Sequence, residues 1–226
     1  MKRRFVLALA GGAVVLGGVM LTPSVLRRMA FFRVRQVELV GVRYLAPDDV
    51  LAALQLRPEQ SLFDDLDVLE ERASRVGGVV QARVKRVLPG TLRVDVSERI
   101  PMAFAPGPEG FVTLDALARP LPFDPSTSAV DLPIVARPDT RWVGALGVVR
   151  FASRDLYDEI DWVEEVRGGG VRLVLGDRRI LLQAVPSVGD VDAVLAVREL
   201  LALNGNEYEE LDARYGGWVV VRRSET

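Results

Sequence analysis

Apolar and polar residues alternate most strictly between Val80 and Ser97. In the first arm Val80, Ala82, Val84 and Leu88 share one face against Gln81, Arg83 and Lys85; in the second, Leu92, Val94 and Val96 oppose Arg93, Asp95 and Ser97. A period of two marks strands with one buried face. Between the arms, Leu88-Pro89-Gly90-Thr91 predicts a type II turn, Pro presetting φ at the second position and Gly supplying a positive φ at the third. Arg86 interrupts the first arm, so the inner face is not expected to be wholly dry. Upstream, FRVRQVELVG reads as a strand whose apolar residues change phase between Val34 and Val37, which predicts a bulge or a change of packing partner. Helical spacing fills the interval. Pro47 suits an opening position ahead of Val50, Leu51 and Leu54, and Asp64 or Asp65 suits a cap ahead of Leu66, Leu69, Ala73 and Val76. Gly77-Gly78 is placed to end this second helix in a left-handed C-cap. The predicted order is strand, helix, helix, strand, strand.

Beyond Phe104 the pattern becomes mixed. GFVTLDALARPLPF reads as two short strands around Ala116-Leu117-Ala118, with the Asp115 side chain holding the turn, and LPIV as another extended run. Across residues 139–160, Trp142, Leu146, Val149 and Tyr157 fit a short helix that Gly144 and Gly147 weaken. Ile160 to Val166, Val171 to Leu175 and Ile180 to Ala184 read as strands. Asp190 to Leu203 carries a buried helical stripe, capped by Asp190 and stopped by Asn204-Gly205. YEELDARY and WVVVRR, on either side of Gly216-Gly217, form a terminal hairpin.

The amino-terminal end differs from all of this. Met1-Lys2-Arg3-Arg4 precedes eighteen uncharged residues, Phe5 to Thr22, followed by Pro23 to Leu26 and then Arg27-Arg28. The run is long enough to cross a hydrocarbon core of about 30 Å and exceeds the about 7 to 15 residues of a signal-peptide core, so an anchor helix over 5–26 is favoured over a cleaved signal. Five of the 29 basic residues and none of the 31 acidic ones lie in the first thirty positions. The remainder is therefore net acidic, which argues against nucleic acid as a partner.

With 0 Cys and 0 His, disulfides, thiolate chemistry, Cys or His zinc sites and histidine triads are excluded. Catalysis would have to use the carboxylate doublets Asp64-Asp65, Glu70-Glu71, Glu164-Glu165 and Glu209-Glu210, yet neighbours on a strand point to opposite faces. No catalytic, cofactor or metal residues are assigned. Arg83, Lys85, Arg86, Arg93 and Arg99 are interleaved with Asp95 and Glu98 and read as a solvated face. Asp64, Asp65 and Asp67 read as helix-start residues rather than metal ligands. Gly168-Gly169-Gly170 lacks a following helix and reads as a hairpin loop, not a phosphate cradle. The stronger candidate is a sheet edge: a strand near the chain end leaves N–H and C=O groups able to accept a strand from another protein, with Trp218 to Val221 along it. Val219 and Val221 serve either that surface or the core.

The motifs FRVRQVELVG, LFDDLD, RVLPGTLRVDVSERIPMAF, LPIV and LDARY, in this order, resemble the FtsQ/DivIB family of bacterial division proteins. The resemblance implies an α+β protein. A short cytoplasmic tail (1–4) and a single N-terminal transmembrane helix (5–26) lead into a POTRA-type β-α-α-β-β domain (29–104). A mixed, mainly antiparallel β domain with a packed helix (105–226) follows. It also implies a non-catalytic divisome scaffold in the cytoplasmic membrane at the septum, both domains outside, binding FtsB-like and FtsL-like single-pass proteins. Other divisome proteins would bind through the POTRA domain. Carried onto this chain, the contact region is Arg214, Tyr215, Gly216, Gly217, Trp218, Val219 and Val220. An extracytoplasmic POTRA adaptor for translocation or envelope assembly is the alternative.

Overall fold

The computed structural model describes residues 26–27, 29–108, 110–123 and 131–223, which fall into two compact units divided between Glu98 and Arg99. The uncharged run expected to span the membrane lies outside the described residues except at its end. Among the described residues no helix is long and apolar enough to cross a membrane.

The first unit runs β1 (Gln36–Val40), α1 (Pro47–Leu54), α2 (Asp67–Ser74), β2 (Val79–Val87) and β3 (Thr91–Glu98). Its sheet has the order β1-β3-β2, with β1 parallel and β2 antiparallel to β3. Val50, Leu54, Leu62, Leu69 and Ala73 are buried with Ala82, Val84, Leu92, Val94 and Val96. The phase change upstream of β1 is a change of partner. Arg33 bridges Ser61 and Val34 N donates to Gln60 O, whereas Arg35 N and Gln36 N both donate to Gly90 O.

Four expectations need correction here. Val80 is 63% exposed, because the register of β2 against β3 shifts between Val79 and Gln81 and turns it outward. Leu88, beyond the end of β2, is exposed too. The turn is not type II: Leu88-Pro89 is cis, and Gly90 is absent from the positive-φ residues. A Cβ at Gly90 would lie 2.6 Å from Nε of the flexible Arg35 side chain, which packs over the turn. The positive φ of Gly78 does not cap α2, which ends at Ser74 with Arg75 in the right-handed region; it turns the chain into β2, Val79 N donating to Val76 O.

Side chains of α2 finish the free edge of β2. Val84 N donates to Glu70 Oε1 at 2.8 Å and Ala82 N to Ser74 Oγ at 3.2 Å. Arg86 crosses the same region, donating to the carbonyls of Leu62 and Asp64. The interruption it makes in the sequence pattern is therefore a set of hydrogen bonds to chain that no strand pairs.

In the second unit β4 (Pro101–Gly107), β5 (Gly110–Asp115), β6 (Pro120–Leu121) and β7 (Ile134–Val135) precede α3 (Thr140–Ala152) and α4 (Arg154–Asp158). There follow β8 (Trp162–Glu165), β9 (Val171–Leu175), β10 (Arg178–Leu182), α5 (Val188–Leu203), β11 (Glu210–Asp212) and β12 (Val220–Arg222). One sheet takes all nine strands in the order β12-β11-β10-β9-β8-β7-β4-β5-β6. Neighbours are antiparallel except at β11/β10, β8/β7 and β7/β4. The sequence pattern carried the first domain to Phe104, but β4 pairs with β5 and β7, which draws Pro101 onward into the second sheet.

Trp142, Leu146, Val149, Leu156 and Tyr157 share one buried cluster with Val163, Leu173, Ile180, Leu182, Val191, Val194 and Leu211. Tyr157 also donates to Met102 O at 2.7 Å, and burial pushes its phenol up to about 12. The expected Asp190 cap is corrected. Ser187 is the N-cap of α5, and Asp190, at the third helical position, completes a capping box by accepting from the Ser187 amide at 2.8 Å.

Candidate partner-binding edge

β12 has β11 on one side and no neighbour on the other among the described residues. The turn into it is built from residues of opposite character. Asp212 is 2% exposed and binds Arg214 in a fork, Nε to Oδ1 at 2.8 Å and Nη2 to Oδ2 at 2.7 Å. The hydrogen bonds from Arg214 hold the Asp212 carboxyl below the usual carboxylate range despite its burial, and Asp212 raises Arg214 in turn. Gly170, at φ +113°, leaves room for this pair: a Cβ there would sit 3.2 Å from Arg214 Cδ and 2.5 Å from Leu182 O. Arg214 is thus fixed in place rather than offered to solvent.

After Arg214 the chain turns outward. Tyr215 is 58% exposed and Trp218 77%, on either side of Gly216 and Gly217, both at positive φ with open space around them. Val219 and Val221 pack against the core, while Val220 is exposed. The strand therefore has a core-facing side, Val219 and Val221, and an exposed side, Trp218 and Val220. Beyond the residues assigned from sequence, Arg222 continues the outward alternation of Trp218 and Val220 and lies 3.2 Å from Glu210 Oε1. That oxygen has no directed hydrogen bond, so the contact is a charge pairing. The same alternation could have identified Arg222 from sequence.

The rival candidates are occupied. Asp64 accepts from Ser61 N, Asp65 from Asp67 N and Glu70 from Val84 N; Glu71 pairs with Arg75, Glu164 with Arg172, Glu165 with Arg137 and Glu209 with Arg179. No group of three or more acidic residues able to hold a metal ion occurs among the described residues. In the basic stretch Lys85 pairs with Asp95, Arg93 with Glu38 and Arg99 with Asp115. The Gly168 to Gly170 run closes a turn, Val166 N donating to Gly170 O.

The β-α-α-β-β order of the first unit, with its parallel β1/β3 pair, is that of a POTRA domain. Residues 32–99 match the family model described as "POTRA domain, FtsQ-type". The chain is 29% identical over 163 residues to the cell division protein FtsQ of Mycobacteroides abscessus, covering 70% of this chain and 53% of that protein. Against FtsQ of Mycolicibacterium smegmatis it is 32% identical over 141 residues, 53% of this chain and 42% of that one. For FtsQ of Chloroflexus aggregans the identity is 32% over 107 residues, 46% and 39% of the two chains. The chain thus carries an FtsQ-type POTRA domain and is similar to FtsQ cell division proteins, spanning about half the length of the mycobacterial relatives it matches.

Proposed function

We propose that this protein is a non-catalytic scaffold of the bacterial division machinery. Residues 1–4 form a cytoplasmic tail, 5–26 a single-pass anchor in the cytoplasmic membrane, and both domains lie outside at the septum. It captures FtsB-like and FtsL-like single-pass proteins by strand addition at β12, with the first domain serving further division proteins. The observation that carries this reading is the open edge of β12 beside the exposed rings of Tyr215 and Trp218. Main-chain groups of an unpaired edge give affinity to an incoming strand, and large aromatic side chains are favoured anchors at its rim. Arg214 contributes by holding the turn through Asp212 rather than by reaching the partner.

The test is affinity purification of the tagged full chain after crosslinking in its host, comparing wild type with a deletion of Trp218 to Thr226. Two small single-pass proteins, recovered from wild type and lost on deletion, are expected. Recovery of translocation components instead would favour the adaptor role. Partners indifferent to the deletion would move the site away from β12.

A further inference from the structure

The start of the first unit carries a collar of arginines and aromatic rings that strand addition at β12 does not use. Arg27, Arg28, Arg33 and Arg35 follow the uncharged run, and no carboxylate appears before Glu38. Arg27 Nε donates to Phe63 O at 2.7 Å, Val34 N to Gln60 O at 2.8 Å and Leu62 N to Phe32 O at 2.9 Å. These bonds lay the collar segment, a 3-10 turn over Ala30–Phe32 followed by an isolated bridge from Arg33 to Ser61, against residues 57–64, so that Arg57 shares a cleft with Arg27. Two carboxylates, Glu59 and Asp64, also line it. Asp64 is engaged by Ser61 N at 3.0 Å and Gln60 Nε2 at 2.8 Å and stands 3.8 Å from Arg57, whose side chain is 75% exposed. Beside these cations Met29 and Phe31 are exposed at 45% and 58%. Phe31 meets Phe32 edge-on, and Phe32 meets Phe63 likewise, each with centroids 5.1 Å apart. Arg35 lies over the Phe31 ring at 6.0 Å.

Guanidinium groups match phosphate oxygens, and apolar side chains set among them suit the boundary between headgroups and acyl chains. We infer that this collar seats the first unit on the outer leaflet. Arg27, Arg33 and Arg57 bind the phosphodiesters of anionic lipids while Met29 and Phe31 enter the interface. The inference rests on the anchor of the proposed function, which ends where the collar begins.

Because the chain has 0 Cys, single cysteines report position directly. The full-length Met29→Cys protein, labelled with an environment-sensitive fluorophore, is reconstituted into phosphatidylcholine vesicles with or without phosphatidylglycerol, each containing a shallow quenching lipid. Quenching is expected to be at least about twofold stronger in the anionic vesicles and to fall with added salt, since each arginine at an anionic surface is worth about a fivefold gain in residence. Adding Arg33→Gln and Arg57→Gln is expected to remove the difference, with the far-ultraviolet spectrum unchanged. A control label at Ala13→Cys, inside the uncharged run, reports the anchor in vesicles whose quencher sits near the acyl-chain ends. Headgroup-independent quenching at position 29, with position 13 quenched, overturns the collar and leaves the anchor standing. Absence of quenching at position 13 overturns the anchor and the collar with it.

Discussion

Asp212 and Arg214 do opposite work from their neighbours Tyr215 and Trp218, and substitution separates the two roles. Asp212→Asn leaves Arg214 without its charged fork and is expected to cost about 1–3 kcal/mol in urea unfolding. Because the folded Asp212 carboxyl sits below its ordinary value, its contribution is complete above the unfolded pKa of about 3.9 and is lost as pH falls through the lower folded value. The stability gap between wild type and Asp212→Asn should therefore be constant near neutrality and narrow below about pH 4. Trp218→Glu and Tyr215→Ala change exposed positions, so unfolding should move by no more than about 0.5 kcal/mol while partner capture falls. Unfolding of the second unit by either change would place that residue in the core. At this scale the Asp-x-Arg-Tyr run stood out only through its resemblance to a family motif, and its division into a buried ion pair and an exposed ring was not legible. Nothing in the sequence reveals that Gly170 clears the space Arg214 occupies.

Element boundaries followed the sequence pattern where local signals and packing agree, as at Pro47 opening α1 and at Leu92, Val94 and Val96 lining β3. They departed where a distant partner decides. A bulge turned Val80 out of the core, and Ser187, outside the apolar stripe of α5, became its cap. The full length of α3 was hidden by Gly144 and Gly147. Each costs a helix about 1 kcal/mol relative to Ala, which burial of Trp142, Val143, Leu146 and Val149 offsets. The parallel pairings of β7, β10 and β11 leave no local mark, because their partners are far away in the chain. Two elements give direct tests. Ser187→Ala removes the capping box and should lower stability by about 1 kcal/mol, read as an earlier thermal transition. Glu70→Ala strips the acceptor from Val84 N and should cost about 1–2 kcal/mol, with faster hydrogen exchange at Val84 than at β3 amides.

For the whole molecule, each unit has its own buried cluster, and tryptophan reports only one of them. Trp142, Trp162 and Trp218 are the chain's 3 tryptophans and all lie after Arg99. Glu70→Ala is therefore expected to shift the circular-dichroism transition and leave the fluorescence transition in place, whereas Asp212→Asn should shift the fluorescence transition. Coincident shifts of both signals in both variants would mean that the units unfold as one. The order of elements in the first unit was readable because its two helices and the β2–β3 hairpin leave local signals, although the parallel β1/β3 pairing does not; the second unit's nine-strand order depends on crossovers that composition and periodicity do not encode.

The contacts from α2 to β2 also run in one direction along the chain. Glu70 and Ser74 precede the amides they receive, Val84 and Ala82, by 14 and 8 residues. A polypeptide delivered from its amino terminus, whether by synthesis or by export, presents the acceptors first and the exposed strand edge afterwards. The guard is in place before the strand it guards has emerged, so the β2–β3 hairpin need never wait unprotected among neighbouring copies still being made.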